Sequence, residues 1–555
     1  MKLDALDRYA PLFSPPDRSF DGFLRRRDRK RRNERIGALA LAFVVALVAV
    51  GGAVLAFRRA TREVPATPSL TTENVKDLAV AWSASLTGAP SGIYDGFDVG
   101  AQEPFPPTLD GDHVYVGTFG GTLYAFPTAC GANAMCRPSW TANTDGGIPF
   151  PPTVVDGTVY VGSTGGVLSA FPADCANDGS TCAPTWVADI GHELGSSPVV
   201  ADGYVFGIDP QGGMLYSFPV ACSSPCRPAW TASIHSQPVP AGHATVLPGD
   251  VIRQVYAPAV ADGVVYAPGF GQGQADRLFA MDEHSGRLLW VGRASLELGT
   301  SPFWNVPVVA GGYVVETFQR VLYAFPVTCT PVKGVCRPSW SVASDALEGD
   351  GVMGPPLVSG DSVYVKTWSS ETLGHTFAFR VGLCATHCQP SWSMLDDGFG
   401  DLVVASGTVY STSIHSGYVD TAPIDCERGG RSCAQAGRLD ALEGPEPPTA
   451  GDGVVFWGTE KGTVYGVPSG CATPESCTNG WTWNGGTEPV SSPAVGASTL
   501  YVASRDGTVT AFAVGAAQRP GLSRSARNGT ALFYGALVLA IGTSLVIRSR
   551  RRRRI

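Results

Sequence analysis

An all-β propeller of eight to nine four-stranded blades, flanked by N- and C-terminal transmembrane helices, is the fold this sequence predicts. Three observations predict it. A unit recurs about every 45 residues, fourteen cysteines fall into close pairs at one place in that unit, and an apolar run lies near each end. Composition agrees. Gly and Pro account for 68 and 43 of 555 residues, one in five, against about 12% in average usage. Long helices tolerate neither residue well, so many short strands are expected.

The repeat is clearest in Pro152-Thr-Val-Val-Asp-Gly157-Thr-Val-Tyr160-Val-Gly162, followed by Gly165-Gly166-Val-Leu-Ser-Ala-Phe171-Pro172, Cys175, Cys182 and Trp186. Units begin near 106, 151, 197, 257, 306, 354, 401, 447 and 492, which makes nine. A short β-rich run opens each. Asp-Gly pairs (Asp110-Gly111, Asp156-Gly157, Asp202-Gly203, Asp262-Gly263, Asp452-Gly453) supply the positive φ of a tight hairpin. A Val-Tyr-Val run makes the second strand and a Leu-Tyr-Ala-Phe-Pro run the third. A segment opening on Trp (Trp140, Trp186, Trp230, Trp290, Trp340, Trp392, Trp481) makes the fourth. Four antiparallel strands repeated many times form radial blades. The last unit lacks a Trp strand, and Leu78–Leu86, with Trp82, is an orphan fourth strand at the other end. That strand is expected to complete the last blade and close the ring, which removes free sheet edges.

The unit resembles the PQQ-type, quinoprotein-like β-propeller repeat. Val264-Val265-Tyr266 followed by Leu278-Phe-Ala-Met-Asp282-Glu-His-Ser-Gly286-Arg-Leu-Leu-Trp290 is similar to that family's strand, turn and Trp strand. The resemblance covers roughly 75–515 and implies a PQQ-like propeller there. It leaves function open, because the family includes enzymes, assembly lipoproteins and sensor domains. The dehydrogenases' ring of adjacent cysteines has no counterpart, since no two cysteines are neighbours. Their Asp base and calcium ligands cannot be placed either. PQQ is therefore not expected as a cofactor, and no catalytic or cofactor-binding residue is assigned.

The cysteine pairs are Cys130-Cys136, Cys175-Cys182, Cys222-Cys226, Cys329-Cys336, Cys384-Cys388, Cys426-Cys433 and Cys471-Cys477. Each lies between the third and fourth strands of its unit. Zinc wants four ligands, and no His recurs beside the pairs. Disulfides are expected, as one local staple per blade that replaces the ordinary turn. Such bonds imply an oxidising compartment.

Ile36–Phe57 is an uncharged run of 22 residues, long enough to cross a bilayer. Eight Lys/Arg in 25–35 precede it. Ala531–Ile547 is a second apolar run, followed by Arg548 and Arg550–Arg554. Both runs put the basic ends in the cytoplasm and the middle outside. The expected divisions are a tail 1–35, a span 36–57, a linker 58–74, the propeller 75–515, a linker 516–530, a span 531–547 and a tail 548–555. A cleaved signal peptide, with Val64-Pro65-Ala66 as its weak site, competes with the first span. A sorting signal competes with the second. This arrangement resembles membrane-anchored proteins of actinobacteria.

Charge follows the same division. Residues 64–518 hold 17 basic and 41 acidic residues, −24, whereas 1–63 carry +7 and 519–555 carry +9. An acidic body repels nucleic acid, which is excluded as a partner. The eight histidines are scattered, and no metalloprotease, P-loop or nucleophile-elbow motif stands in a supporting context. The loops joining one blade's fourth strand to the next blade's first carry acids: Asp95, Asp98, Asp345, Glu348, Asp350, Asp396, Asp397, Asp401, Asp440, Glu443 and Glu446. Asp350, Asp396, Asp397 and Asp401 are the weak metal candidates, with Ca²⁺ the fitting ion. The bland alternative is that these are solvated loops. The insertion Ser233–Tyr256 adds His235 and His243. Aromatics at Tyr9, Phe13, Phe20 and Phe23 suit a membrane-surface element or a cytoplasmic partner. The expectation is a non-enzymatic binding, scaffold or sensor module with a protein or cell-envelope ligand on the acidic loop face. An envelope-assembly factor like the family's lipoproteins is the alternative, and a PQQ-dependent oxidoreductase the more remote one.

Overall fold

Nine four-stranded antiparallel blades follow one another along the chain in a computed structural model. It describes residues 69–515 except 88–91, 95–101, 131–133, 235–254, 270–275, 294–303, 319, 345–346, 348–351, 369–373, 385–387, 397–399, 414–416, 427–431, 434–436, 441–443 and 471–479. Blade 1 comprises Thr108–Asp110, His113–Gly117, Thr122–Pro127 and Trp140–Asn143. Blade 2 comprises Thr153–Val155, Thr158–Gly162, Val167–Pro172 and Trp186–Asp189. Blades 3 to 9 open at Val199, Ala259, Val308, Leu357, Leu402, Thr449 and Ala494. The expectation of eight to nine blades thus settles at nine. Both expected membrane spans, 36–57 and 531–547, lie outside the described residues. Within them no helix is long and apolar enough to cross a membrane.

The middle strands read as continuous apolar runs because each blade is packed between two others. His113–Gly117 is buried throughout, whereas Trp140–Asn143 alternates inward and outward. A strand covered on both faces needs apolar residues at both parities. Most hairpins between first and second strands turn as expected. Asp156, Asp202, Asp262 and Asp452 take φ of 44–52° and their following glycines stay positive. Blade 1 differs by one residue: Asp110 still pairs with His113, so its turn is Gly111-Asp112.

Leu78–Ser85 is the fourth strand of blade 9. It runs antiparallel to Thr508–Val514, with Leu78 opposite Val514 and Ser85 opposite Thr508. Closure therefore joins two segments more than 400 residues apart. Nine buried apolar clusters fill the nine seams. Tyr115, Leu123 and Trp140 meet Val159 and Phe171 between blades 1 and 2. Trp82 and Tyr501 meet Val114 and Phe126 between blades 9 and 1.

The tryptophans also bond across the seams. Six indole N–H groups donate to a carbonyl of the following blade: Trp82 to Thr128 (3.2 Å), Trp140 to Ala173 (2.8 Å), Trp186 to Val220 (3.1 Å), Trp230 to Glu283 (2.8 Å), Trp392 to Ile424 (3.1 Å) and Trp481 to Leu78 (3.0 Å). A large apolar ring with one polar handle suits a position that is buried yet must satisfy a neighbour's backbone.

Among the described residues five disulfides are seen: Cys130–Cys136, Cys175–Cys182, Cys222–Cys226, Cys329–Cys336 and Cys384–Cys388. Cys426 is also disulfide-bonded, while Cys471 and Cys477 lie outside the described residues. The loops do more than staple their own blade. Ala134–Met135 adds a parallel fifth strand beside Trp82–Ser83 of blade 9, and Ser180–Thr181 does the same beside Trp140–Thr141 of blade 1. Val335–Cys336 and Ser432–Cys433 repeat it on blades 4 and 6. The amides of Cys136, Cys182 and Cys226 donate to Ser83, Thr141 and Val187 of the preceding blade at 2.6–2.7 Å. A fourth strand is a sheet edge with unpaired backbone groups, and these loops cover it.

Candidate functional site

The propeller has two faces. One carries the cystine loops and the turns between first and second strands. The other carries the turns between second and third strands and the loops that lead from one blade to the next. The acids expected to form a binding surface belong to the second face. Their placement there is uneven. Asp95, Asp98, Asp345, Glu348, Asp350, Asp397, Glu443, His235 and His243 lie outside the described residues. Glu446 is 5% exposed, so it is not a solvated loop acid. Asp396 is fully buried as the last residue of the blade 6 strand Trp392–Asp396.

Asp396 belongs to a polar seam between blades 6 and 7. Its Oδ2 accepts hydrogen bonds from Thr376 Oγ1 at 2.6 Å and Ser411 Oγ at 2.9 Å. Lys366 Nζ lies 3.7 Å from the same oxygen. That ammonium also donates to Ser411 Oγ at 2.8 Å and to the Thr412 carbonyl. Lys366 is 4% exposed. An ion pair this deep persists only where other polar groups help to satisfy it, as Thr376, Ser411 and the Thr412 carbonyl do here.

The repeat shows what was exchanged. Lys366 faces Thr376 across the hairpin, where blades 1 and 2 put Gly117 opposite Leu123 and Gly162 opposite Leu168. Asp396 follows its strand's Trp by four residues, the spacing of Ile190 and Ile234 in blades 2 and 3, both buried. Ser411 faces Asp420 where blade 1 has Val116 opposite Tyr124. So glycine, leucine, isoleucine and valine positions have together become Lys, Thr, Asp and Ser.

The far end of the same loop is also pinned. Thr412 N–H donates to the Asp401 carbonyl at 3.0 Å, and Asp401 N–H donates to Thr412 Oγ1 at 3.1 Å. Gly400 makes this possible, because a Cβ there would lie 2.0 Å from the Thr412 carbonyl oxygen. The connection from Asp396 to Asp401 is therefore clamped at both ends, one by side chains and one by backbone. Next to it, buried Asp420 accepts two hydrogen bonds from Arg438, Nε to Oδ1 at 2.8 Å and Nη2 to Oδ2 at 3.2 Å. The Arg438 guanidinium stands 4.5 Å over the Tyr418 ring. On blade 3, His192 Nδ1 meets buried Asp209 Oδ2 at 3.0 Å, and Gly212 N–H holds Asp209 Oδ1 at 2.7 Å.

Of the four metal candidates, Asp350 and Asp397 lie outside the described residues, while Asp396 and Asp401 stand at the two ends of one connection. Among the described residues no group of three or more His, Cys, Asp or Glu is arranged to hold a metal ion. Sequence reading missed Lys366, Thr376, Ser411, Asp420 and Arg438. The available signal was a lysine at a position that other units give to glycine.

No family model and no curated protein matches the sequence. Solved structures do. BamB from Moraxella catarrhalis is similar at 14% identity and TM-score 0.45, covering 79% of this chain and 98% of that one. The quinohemoprotein alcohol dehydrogenase from Comamonas testosteroni is similar at 13% identity and TM-score 0.43, covering 82% and 78%. A europium-containing methanol dehydrogenase is similar at 14% identity and TM-score 0.43, covering 80% and 95%. The blade order described above establishes the propeller on its own.

Proposed function

We propose that this chain is a membrane-tethered extracytoplasmic propeller that acts as a non-enzymatic scaffold. Its binding surface is the face of inter-blade loops, centred on the connection between blades 6 and 7. The observation that carries this reading is the two-ended clamp on residues 396–401. Fixing both ends of a short acidic connection lowers the ordering cost of binding a partner. The partner chemistry that fits Asp397 and Asp401 is a basic protein or envelope segment. Burying Lys366 and Asp396 adds little stability over the apolar filling of other seams, which suits a role in loop geometry. The two charged groups hold each other, so neither is free to act as a base or nucleophile, and this supports the non-enzymatic reading. The disulfides point to an oxidising compartment.

The test is photo-crosslinking on intact cells, with a photoreactive residue replacing Asp397 or, for reference, Lys461 in the blade 8 turn. A recurring partner adduct is expected from Asp397 alone, and it should weaken in the Lys366→Met background. Equal adducts from both positions, or none from Asp397, would reject the proposed surface.

A further inference from the structure

The chain enters and leaves the propeller on the cystine-loop face. Leu78 opens the closing strand directly opposite Val514, near the end of the last one. The two chain ends therefore occupy the place that a cystine loop takes in other blades. The same face carries exposed apolar side chains. Leu288 (48%), Val332 (76%), Leu383 (78%) and Ile424 (39%) come one each from blades 4, 5, 6 and 7, and Met135 (68%) from blade 1. Among the described residues one other large apolar side chain is as exposed, Leu395 near the opposite face. Single exposed apolar residues need no explanation. Four of these five stand in consecutive blades and form an arc.

Cations accompany the arc. Arg287 precedes Leu288, Lys333 follows Val332, Arg337 closes the same loop, and Arg380 lies three residues before Leu383; all are exposed. Asp262, Asp282, Asp361 and Asp425 stand in or beside turns of the same blades, so among the described residues the charges of the arc are close to balanced. Apolar tips flanked by long cationic stems match the polarity gradient of a lipid headgroup layer.

We infer that this arc is a lipid-docking surface, on which the propeller rests against a bilayer with Leu288, Val332, Leu383 and Ile424 in the headgroup region. The occupant follows from where the chain ends. Phe57, the end of the first apolar run, is 12 residues before Ser69, and Ala531 is 16 after Gly515. Extended chain spans at most about 3.5 Å per residue, so the tethers reach roughly 40 and 55 Å. Two tethers of that length leaving one face hold that face toward the membrane. With balanced charge, docking rests on apolar insertion and depends little on anionic lipid.

This inference rests on the tethered reading above, and the experiment separates the two. The full chain is reconstituted into vesicles of phosphatidylcholine, with and without phosphatidylglycerol, with a photoreactive diazirine residue replacing Val332, Leu383 or, on the other face, Lys461. After irradiation, phospholipid adducts are expected at Val332 and Leu383 on the order of tenfold above Lys461 in both lipid mixtures. A chain that floats with the vesicles yet gives no lipid adduct at Val332 and Leu383, or gives protein adducts there instead, overturns the docking face alone. A chain that does not float with the vesicles overturns the tethered reading and the docking face together.

Discussion

The seam between blades 1 and 2 and the seam between blades 6 and 7 are made by the same repeat and filled in opposite ways. The first is a hydrocarbon contact of Leu123, Val161 and Phe171, bordered by a cystine strand along the edge of blade 1. The second keeps a shorter apolar cluster around Tyr364 and Trp392. It then changes to charge at the inter-blade loop face, through Lys366 and Asp396. Backbone pairing is the same in both. A propeller can therefore alter one seam's chemistry without altering its architecture, because the strands hold the register while the side chains vary.

Cutting the charge pair should produce the largest difference between the two seams. Asp396→Ala leaves a buried ammonium without its carboxylate and should lower stability by about 3–5 kcal/mol. The joint replacement Lys366→Met with Asp396→Leu should cost less than about 1.5 kcal/mol, since apolar groups of similar size can fill such a seam. Denaturant midpoints of the two variants measure this, and equal losses would show that the pair is no specific contact.

Opening a staple should come next. Replacing Cys175 and Cys182 by Ser frees an eight-residue loop, for which chain entropy gives about 2.5 kcal/mol. Ser180–Thr181 should then release the edge of blade 1, seen as faster amide exchange at position 182, while the seam between blades 6 and 7 keeps its protection.

The smallest effect is at the seam between blades 3 and 4, where blade 4 has an ordinary turn in place of a cystine loop. Glu283 is fully buried there. Burial, and then the nearby Asp202 carboxylate, push its pKa above the ordinary 4.5. A carboxyl whose folded pKa is raised binds more protons folded than unfolded, so stability falls as pH rises from 4.5 through the folded value. Glu283→Gln should therefore stabilise the protein at neutral pH, and the gain should vanish below about pH 4.5. A gain that persists unchanged at pH 4 would point to packing and not to ionisation. Alkali should act on the tyrosines of the second strands. Burial raises Tyr266 and Tyr501 to about 12.

Most of the architecture was legible because the repeat writes it locally. Asp-Gly marks the first turn, Val-Tyr-Val the strand covered on both sides, and Trp the fourth strand, and Trp82 without its own blade announced the closure. What could not be read are contacts between units. Cys175–Cys182 looks like a self-contained loop, and nothing in its spacing says that Ser180–Thr181 pairs with Trp140–Thr141 of the blade before. Asp396 was misread because Asp396-Asp397-Gly398 has the composition of a turn. In fact the strand runs through Asp396, which turns inward to Lys366, thirty residues earlier in its own blade. The Lys366 substitution stands out only when the hairpin registers of several blades are laid side by side.

The charge pair anchors one end of the connection between blades 6 and 7. Amide hydrogen exchange in Asp396→Asn tests it most directly, because the amides of Asp401 and Thr412 report the far end of the clamp. Their protection should fall on the order of tenfold, while the Cys182 amide between blades 1 and 2 stays unchanged. Unchanged protection at Asp401 and Thr412, or an equal loss at Cys182, would contradict the clamp.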